Sequence, residues 1–293
     1  MRLASFTLDG ARRAGAVHLP ERTITVLPPE IGTVDDIVRG GPEALDAARA
    51  ARGTSLPLSD VRLEAPLRRF RRDILCTGWN YLDHFEESRG KRGGQDPVSL
   101  PEHPTFFTKG PDTVIGPYDP IAYDPALSTQ WDYEAEIALV IGRDGRSIPE
   151  EKALDHVFGY LVANDVSQRD LQRAHGGQWL KGKSIDATMP LGPWLTTADE
   201  IDDLASLRVQ CEVDGRLLQD ATSGRMAFPV PRLIAELSHG MTLRAGDVVL
   251  TGTPSGIGGA REPQVFLGDG ATVVTRVSGL GELRNTVTRT RLT

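Results

Sequence analysis

The segment WDYEAEIALVIG, residues 131–142, constrains the fold of this chain more than any other stretch of the sequence. Side chains two positions apart share one face of a β-strand. In the second half of the segment apolar residues occupy both faces, as they do in strands that are covered on both sides. The segment therefore predicts a central, largely buried strand over residues 131–141.

Two acidic residues, Glu134 and Glu136, share one face of this predicted strand. Two carboxylates in a buried strand repel each other and lose hydration, and an unpaired buried charge costs several kcal/mol. A hard divalent cation would compensate both charges, because carboxylate oxygens are its preferred ligands. The spacing alone leaves a second interpretation equally open, in which the acids lie at a strand end and reach water or pair with arginines.

A third acidic residue, Asp165, ends the apolar segment HVFGYLVAND at residues 156–165. An Asp at the C-terminal end of a strand can project into a site, where three acids and water would complete a magnesium site. Taken by itself, Asp165 is more readily explained as an Asx turn or as the N-cap of a helix predicted over residues 167–173.

His84 and Glu87 lie three residues apart in NYLDHFEES, a predicted short helix over residues 80–88. That spacing places both side chains on one helix face. A carboxylate beside an imidazole fixes its tautomer and raises its basicity, as a general base requires. An isolated pair of this kind is more often a surface contact that adds a few tenths of a kcal/mol.

Lys181 and Lys183 flank Gly182 in the segment WLKGKSID, residues 179–186. An ammonium group beside a metal site could neutralise an anionic intermediate. For a single lysine, a solvated side chain is the simpler interpretation.

The segment GDVVLTGTPSGIGG, residues 246–259, predicts a strand that runs into a glycine-rich loop. Backbone N–H groups of such a loop can cradle a carboxylate. The loop lacks the lysine of a phosphate-binding P-loop, which argues against nucleotide binding. A tight turn between strands explains the glycines equally well.

Composition and pattern predict a β-rich mixed α/β fold. The 31 glycines and 20 prolines favour many turns and short strands. The dipeptide Asp214-Gly215 predicts a two-residue hairpin, and residues 230–239 form the clearest helical segment, which Gly240 closes. The other predicted strands include residues 74–77, 105–108, 158–163, 207–213, 247–251, 271–277 and 283–288.

The change in sequence character near residue 70 predicts two domains, a small N-terminal domain over 1–70 and a larger domain over 71–293. The small domain contains short strands, helices at residues 33–38 and 42–52, and a proline-bearing connector at 54–66. Residues 89–104 lack periodicity and carry Gly, Pro and charges, so they predict a long loop.

Charge and cysteine content exclude several classes of protein. The formal net charge of −7 argues against a nucleic-acid binder, and the basic cluster at residues 68–72 is best explained as a solvated or interdomain stretch. Cys76 and Cys211 fit no metal or redox spacing. No segment resembles a signal peptide or a membrane span, so the sequence predicts a cytoplasmic protein without membrane contact, with reduced cysteines.

Between about Ile74 and Val287 several long motifs follow one another in a fixed order, namely NYLDHFEE, PTFFTKGPDTVIGP, DYEAEIALVIG, GYLVANDVSQRD, GKSIDATMPLGPW, DGRLLQDATSGRM, LRAGDVVLTGTPSGIG and GLGELRN. These motifs and their order resemble those of the fumarylacetoacetate hydrolase superfamily. The resemblance implies a β-roll preceded by a small N-terminal domain and assembled as a homodimer.

The resemblance also implies a site. Mg²⁺ or Mn²⁺ would be held by Glu134, Glu136 and Asp165. His84 and Glu87 would activate water on a lid that closes over the substrate, and Lys183 would be an oxyanion partner. Residues implied to lie near the substrate are Arg169, Gln172 and Thr253. Two positions depart from the family pattern, namely Trp79, where a lysine is common, and Gln168, where a small residue is common.

The function predicted on this basis is metal-dependent hydrolysis of the C–C bond of 2,4-dioxo acids of the acylpyruvate type, which gives pyruvate and a carboxylic acid. One alternative is decarboxylation of oxaloacetate, and another is isomerisation or tautomerisation of an unsaturated 2-oxo diacid, because both need the same metal site. A member that binds a small 2-oxo acid without turnover is a third, less favoured interpretation.

Overall fold

The computed structural model describes residues 1–91 and 97–293, and strands dominate it. The strands are β1 (Arg2–Leu8), β2 (Ala11–His18), β3 (Thr23–Val26), β4 (Ser55–Pro57), β5 (Arg62–Glu64), β6 (Ile74–Thr77), β7 (Phe106–Lys109), β8 (Val114–Ile115), β9 (Ile121–Tyr123), β10 (Trp131–Asp132), β11 (Ala135–Ile141), β12 (Gly145–Arg146), β13 (Val157–Asn164), β14 (Ser167–Gln168), β15 (Met189–Thr197), β16 (Arg208–Val213), β17 (Arg216–Thr222), β18 (Thr242–Leu243), β19 (Val248–Leu250), β20 (Thr272–Val277) and β21 (Gly281–Arg289). The α-helices are α1 (Val34–Ala50), α2 (Leu82–Ser88), α3 (Arg169–Ala174), α4 (Leu180–Lys183) and α5 (Val230–Ser238). The predicted β-rich mixed fold is confirmed.

Two sheets organise the molecule. Within the described residues, twelve strands form the larger sheet, whose main path runs β4-β3-β2-β1-β15-β13-β11-β19-β6-β7. The second sheet runs β17-β16-β20-β21-β9. In the larger sheet β11 lies between β13 and β19, and all of its residues are buried. The prediction of a central strand that is covered on both faces is confirmed.

The predicted strand over residues 131–141 is not continuous. It divides into β10 and β11 at Tyr133 and Glu134, so the prediction of one unbroken strand is wrong. At this break two side-chain amides take over part of the backbone pairing. Asn164 Oδ1 accepts from Glu134 N–H at 3.0 Å, and Gln219 Oε1 accepts from Ala135 N–H at 2.9 Å. The break lies at the first of the two predicted glutamates.

The hairpin predicted at Asp214-Gly215 joins β16 to β17. Both turn residues have positive φ, 50° and 76°, as a type I′ turn requires. The prediction is confirmed, and the turn sets the register in which Val213 faces Arg216.

The two helices predicted in the N-terminal part form one helical stretch, α1, with a break. Thr33 caps its start, since its side chain accepts from Asp36 N–H while the Asp36 side chain accepts from Thr33 N–H. Gly41, with φ of 67°, interrupts the helix just before Pro42. The two predicted segments therefore follow one another directly.

Strand β15 is absent from the sequence prediction although it lies at the middle of the larger sheet, between β1 and β13. Its sequence, MPLGPWLTT, carries two prolines and a glycine, which normally argue against a central strand. The segment 54–66, predicted as a connector, likewise contains two three-residue strands, β4 and β5.

The larger sheet crosses the predicted domain boundary at residue 70. Strand β1 pairs with β15, and one buried apolar cluster includes residues from both sides of that boundary, among them Leu3, Val34, Ile37, Ala138 and Leu191. The division into two domains stays a prediction. Across the described ranges, no helix is both long enough and apolar enough to span a bilayer.

Candidate functional site

The three acids predicted to hold a metal ion converge in the interior. Glu134 precedes β11, Glu136 lies within β11, and Asp165 follows β13. Strands β11 and β13 pair so that Ala135 faces Asn164, which brings the acids together. Each of the three residues offers one carboxylate oxygen, and these three oxygens all lie within 4.8 Å of one another. All three side chains are buried.

Three cationic side chains contact two of these acids. Lys183 Nζ lies 2.7 Å from both Glu134 Oε2 and Asp165 Oδ2. Lys109 Nζ donates to Asp165 Oδ1 at 2.8 Å, and Arg169 Nη2 lies 2.6 Å from Glu134 Oε1. Burial opposes ionisation of Glu134, but Lys183 and Arg169 outweigh it and lower the pKa of that carboxyl.

Glu136 has a different environment. Among the described residues it accepts its hydrogen bond from the backbone, from Gly252 N–H at 2.7 Å. Burial, followed by the charges of Asp165 and Glu134, raises the pKa of Glu136. A dication would remove this repulsion, and a donor set of carboxylate oxygens suits a hard cation such as Mg²⁺ or Mn²⁺. The three acids can therefore hold a divalent metal ion.

The predicted His84–Glu87 pair is formed on α2. His84 Nδ1 lies 2.9 Å from Glu87 Oε1, and Glu87 Oε2 accepts from Gly256 N–H at 2.7 Å. A carboxylate at Nδ1 favours the tautomer with its proton there, which leaves Nε2 as a proton acceptor. His84 is buried and lines the same cavity as Glu134 and Glu136.

The glycine-rich loop that follows β19 positions several of these acids. Besides its contacts to Glu136 and Glu87, it binds Asp132 through Gly258 N–H at 2.7 Å and Gly259 N–H at 2.8 Å. A Cβ at Gly258 would lie 1.8 Å from a backbone oxygen, so that position requires glycine. The loop was predicted to cradle a carboxylate, and it cradles those of the protein itself.

The remaining predicted residues divide between two adjacent cavities. Lys183, Gln172 and Thr253 line the same cavity as Glu134, Glu136 and His84, which we call the metal-site cavity. Thr253 Oγ1 donates to Ala135 O at 2.9 Å. Arg169 lines the neighbouring cavity, which also includes Gln172. Lys183, implied to be an oxyanion partner, is held between two acids, which raise the pKa of its ammonium group against the opposing effect of burial.

Three residues of the site were not predicted as site residues from the sequence. Lys109 is fully buried against Asp165, and Asp132 holds Arg169 through its Nε at 2.8 Å. Thr77 lines the metal-site cavity with a buried hydroxyl that has no hydrogen-bond partner among the described residues. The sequence signals for Lys109 are a charge at the end of an apolar strand and its place in the motif PTFFTKGPDTVIGP.

The two departures from the family pattern are both buried. Trp79 lines the metal-site cavity, where its ring packs edge-on against Trp179 with centroids 4.9 Å apart. Gln168 is fully buried, and within the described ranges neither end of its amide has a hydrogen-bond partner. The long loop predicted over residues 89–104 includes residues 92–96, which lie outside the described residues.

Comparison with known proteins gives consistent matches. Residues 73–288 match the family described as Fumarylacetoacetate (FAA) hydrolase C-terminal. The chain is 42% identical over 230 residues to the oxaloacetate tautomerase YisK of Bacillus subtilis (strain 168). This match covers 78% of this chain and 74% of that protein. The structure matches a fumarylacetoacetate hydrolase (EaFAH) from psychrophilic Exiguobacterium antarcticum with a TM-score of 0.85 and 36% identity, covering 99% of this chain and 100% of the other. It also matches a 5-carboxymethyl-2-hydroxymuconate delta-isomerase from Mycobacterium smegmatis with a TM-score of 0.78 and 32% identity, again covering 99% and 100%.

Proposed function

Because this chain belongs to the fumarylacetoacetate (FAA) hydrolase family, we propose that it interconverts the oxo and enol forms of a small 2-oxo dicarboxylic acid such as oxaloacetate. The observation that carries the proposal is one cavity lined by Glu134, Glu136, His84 and Lys183. Asp165 completes the group of three carboxylates, and Glu87 contacts His84. The tautomerase and isomerase named among its relatives support this reaction over C–C hydrolysis.

The cation site is proposed to take Mg²⁺ or Mn²⁺ on Glu134, Glu136 and Asp165. A divalent cation there would supply Lewis-acid chemistry, which draws electron density from the carbonyl group of a 2-oxo acid. Lys109 and Lys183 hold Asp165 in place through its two oxygens. These contacts fix the site before any ligand enters it.

His84 is proposed to move the proton. Its Nε2 would take a proton from C3 of the substrate and return it to the oxygen on C2, while Glu87 holds Nδ1. Gly256 N–H fixes Glu87 in turn. Lys183 stays charged between Glu134 and Asp165. Its ammonium group would stabilise negative charge that develops on the C2 oxygen of the substrate. This transfer requires a base but no attacking water.

Hydrolysis of acylpyruvates, the function first predicted from the sequence, remains the second candidate. The His84–Glu87 pair that favours it has the geometry of a water-activating base. The relatives named above include a fumarylacetoacetate hydrolase beside the tautomerase and the isomerase. On this proposal tautomerisation is the main activity and C–C cleavage the minor one.

The test compares reactions on one preparation supplied with Mg²⁺ or Mn²⁺. Ketonisation of enol-oxaloacetate, followed by its ultraviolet absorbance, is expected to be accelerated and to return to the solvent rate after chelation of the metal. Pyruvate release from acylpyruvates and CO₂ release from oxaloacetate are measured in parallel. Efficient pyruvate release from acylpyruvates with no accelerated ketonisation would replace the proposal with the hydrolase.

The variant His84→Ala is expected to lose ketonisation by about 100-fold or more, the usual contribution of a positioned general base, while it still binds Mg²⁺ in calorimetry. His103→Ala is the matched control, since His103 also contacts a glutamate, Glu236 at 3.0 Å, but is mostly exposed and does not line this cavity. Equal rates in the two variants would remove His84 from the mechanism.

A further inference from the structure

Asp132 is a fully buried carboxylate two residues before Glu134, and the proposed reaction gives it no role. Backbone N–H groups hold both of its oxygens. Oδ1 accepts from Tyr133 N–H at 2.9 Å and from Gly258 N–H at 2.7 Å, and Oδ2 accepts from Gly259 N–H at 2.8 Å. These three donors fix the carboxylate relative to the backbone, so a side chain that binds to it is held in one place.

Arg169 is the side chain that Asp132 holds. Its Nε donates to Asp132 Oδ2 at 2.8 Å, and its Nη2 lies 2.6 Å from Glu134 Oε1. The two contacts differ in geometry. The contact with Asp132 is a hydrogen bond, whereas Nη2 has no hydrogen-bond partner within the described residues, so at Glu134 the charges meet without one. Burial lowers the pKa of Arg169, but Asp132 first and Glu134 second outweigh that effect and raise it, so the guanidinium stays charged.

This geometry leaves Glu134 available to a cation. A guanidinium that formed full hydrogen bonds with Glu134 would compete with a dication, because both need the lone pairs of the same carboxylate oxygens. Asp132 is a second acid for Arg169, and it turns the Nε of the guanidinium toward itself. Arg169 therefore compensates the buried charge of Glu134 without occupying its oxygens.

We infer that Asp132 is a positioning residue that keeps Arg169 from closing on Glu134 and thereby leaves that glutamate available to a divalent cation. Asp132 acts through Arg169 and is not one of the three acids that converge on the cation site. The inference rests on the cation site of the proposed function, but not on the reaction carried out there.

The test is the affinity of the full chain for Mg²⁺, measured by calorimetry on the wild type, Asp132→Asn, Arg169→Gln and the double variant. In Asp132→Asn the guanidinium keeps Glu134 as its acid, so Mg²⁺ affinity is expected to fall at least about tenfold, as it does when an outer-shell partner is lost. In Arg169→Gln the affinity is expected to equal or exceed that of the wild type, because the competing cation is gone. In that background Asp132→Asn is expected to change the affinity by less than about threefold.

Asp35→Asn is the matched control. Asp35 is also buried, and it lies on α1 and lines neither of the two cavities beside the three acids. Its Oδ1 accepts from Arg68 N–H at 3.2 Å and Arg69 N–H at 2.9 Å, and its Oδ2 lies 3.6 Å from Arg12 Nη1. In thermal unfolding Asp35→Asn is expected to lose stability as Asp132→Asn does, but to bind Mg²⁺ as the wild type does.

Three results would overturn the inference. Equal Mg²⁺ affinities in Asp132→Asn and Asp35→Asn would make Asp132 a purely structural residue. A loss that Asp132→Asn causes equally with and without Arg169 would show that its charge acts on the ion directly. Weaker Mg²⁺ binding in Arg169→Gln than in the wild type would show that Arg169 does not compete with the ion, and this comparison decides even where Asp132→Asn does not fold.

The outcomes separate this inference from the proposed reaction. The expected pattern of affinities, in a wild-type protein that does not accelerate ketonisation, supports the role of Asp132 and refutes the reaction. Accelerated ketonisation with the same Mg²⁺ affinity in all four forms supports the reaction and refutes the role of Asp132.

Discussion

Glu136 is the acid of the triad whose ionisation depends most on a metal ion. Its two neighbours each contact a cation, whereas Glu136 receives a backbone N–H. Because burial and the charges of Asp165 and Glu134 raise its pKa, Glu136 in the metal-free protein keeps a proton to a higher pH than an ordinary glutamate. A cation must displace that proton, so metal affinity rises with pH until the raised pKa is passed.

Calorimetry of Mg²⁺ binding in buffers of different ionisation enthalpy is therefore expected to show proton release, which falls as the pH is raised past the pKa of Glu136. The variant Glu136→Gln is expected to release fewer protons and to bind Mg²⁺ at least ~100-fold more weakly, since even outer-shell changes cost about 10–100-fold. Glu151→Gln, which alters an exposed glutamate, serves as the control. Proton release that is the same in both variants would show that Glu136 is already ionised.

The residues that the sequence revealed are those whose chemistry conflicts with their surroundings. Glu134 and Glu136 lie in one apolar segment of the sequence, and Asp165 ends another, so each predicts a compensating partner. Lys109 escaped because a lysine at a strand end ordinarily extends to solvent, and its partner Asp165 is 56 residues away. That partner is set by the pairing of strands across the sheet, which local patterns do not encode.

At the scale of elements, the β16–β17 hairpin offers a direct test of turn chemistry. Gly215 has φ of 76° and open space where a Cβ would lie. The variant Gly215→Ala is therefore expected to lose about 1–2 kcal/mol of unfolding free energy through backbone strain alone. Gly268→Ala is the control, because Gly268 has equal space and no positive φ, and it is expected to change stability by less than about 0.5 kcal/mol.

Urea denaturation followed by circular dichroism gives both values. Equal stabilities of the two variants would mean that the turn tolerates alanine by changing its type.

Elements were predictable where the hydrophobic period and the local propensity agree. Strands β11 and β13 satisfy both conditions, and the Asp214-Gly215 turn satisfies the dihedral requirement of its type. Strand β15 satisfies neither condition, because Pro190, Gly192 and Pro193 are residues that normally disfavour a central strand. Its position follows from pairing with β1 and β13, strands that lie far from it in sequence.

At the scale of the whole molecule, we predict that the two predicted domains unfold together as one cooperative unit, because buried contacts join them. Strand β1 supplies the partner that covers one edge of β15, with Leu3 opposite Leu195. Helix α1 packs in the cluster that includes residues of β11 and β13. The homodimer implied by the resemblance stays a prediction and would add to this core without replacing it.

A fragment that begins at residue 73, where the family match starts, is therefore expected to misfold or aggregate. Loss of residues 1–72 would expose the edge of β15 and remove buried side chains that include Leu3, Val34, Ile37 and Val38. Each such side chain contributes about 1.5–3 kcal/mol, so a few of them equal the usual total stability of about 5–15 kcal/mol. An unpaired, apolar edge also promotes association between chains. Size-exclusion chromatography and thermal unfolding of the fragment and the full chain test this, and a soluble fragment with a cooperative transition close to that of the full chain would show instead that residues 1–72 form a dispensable domain.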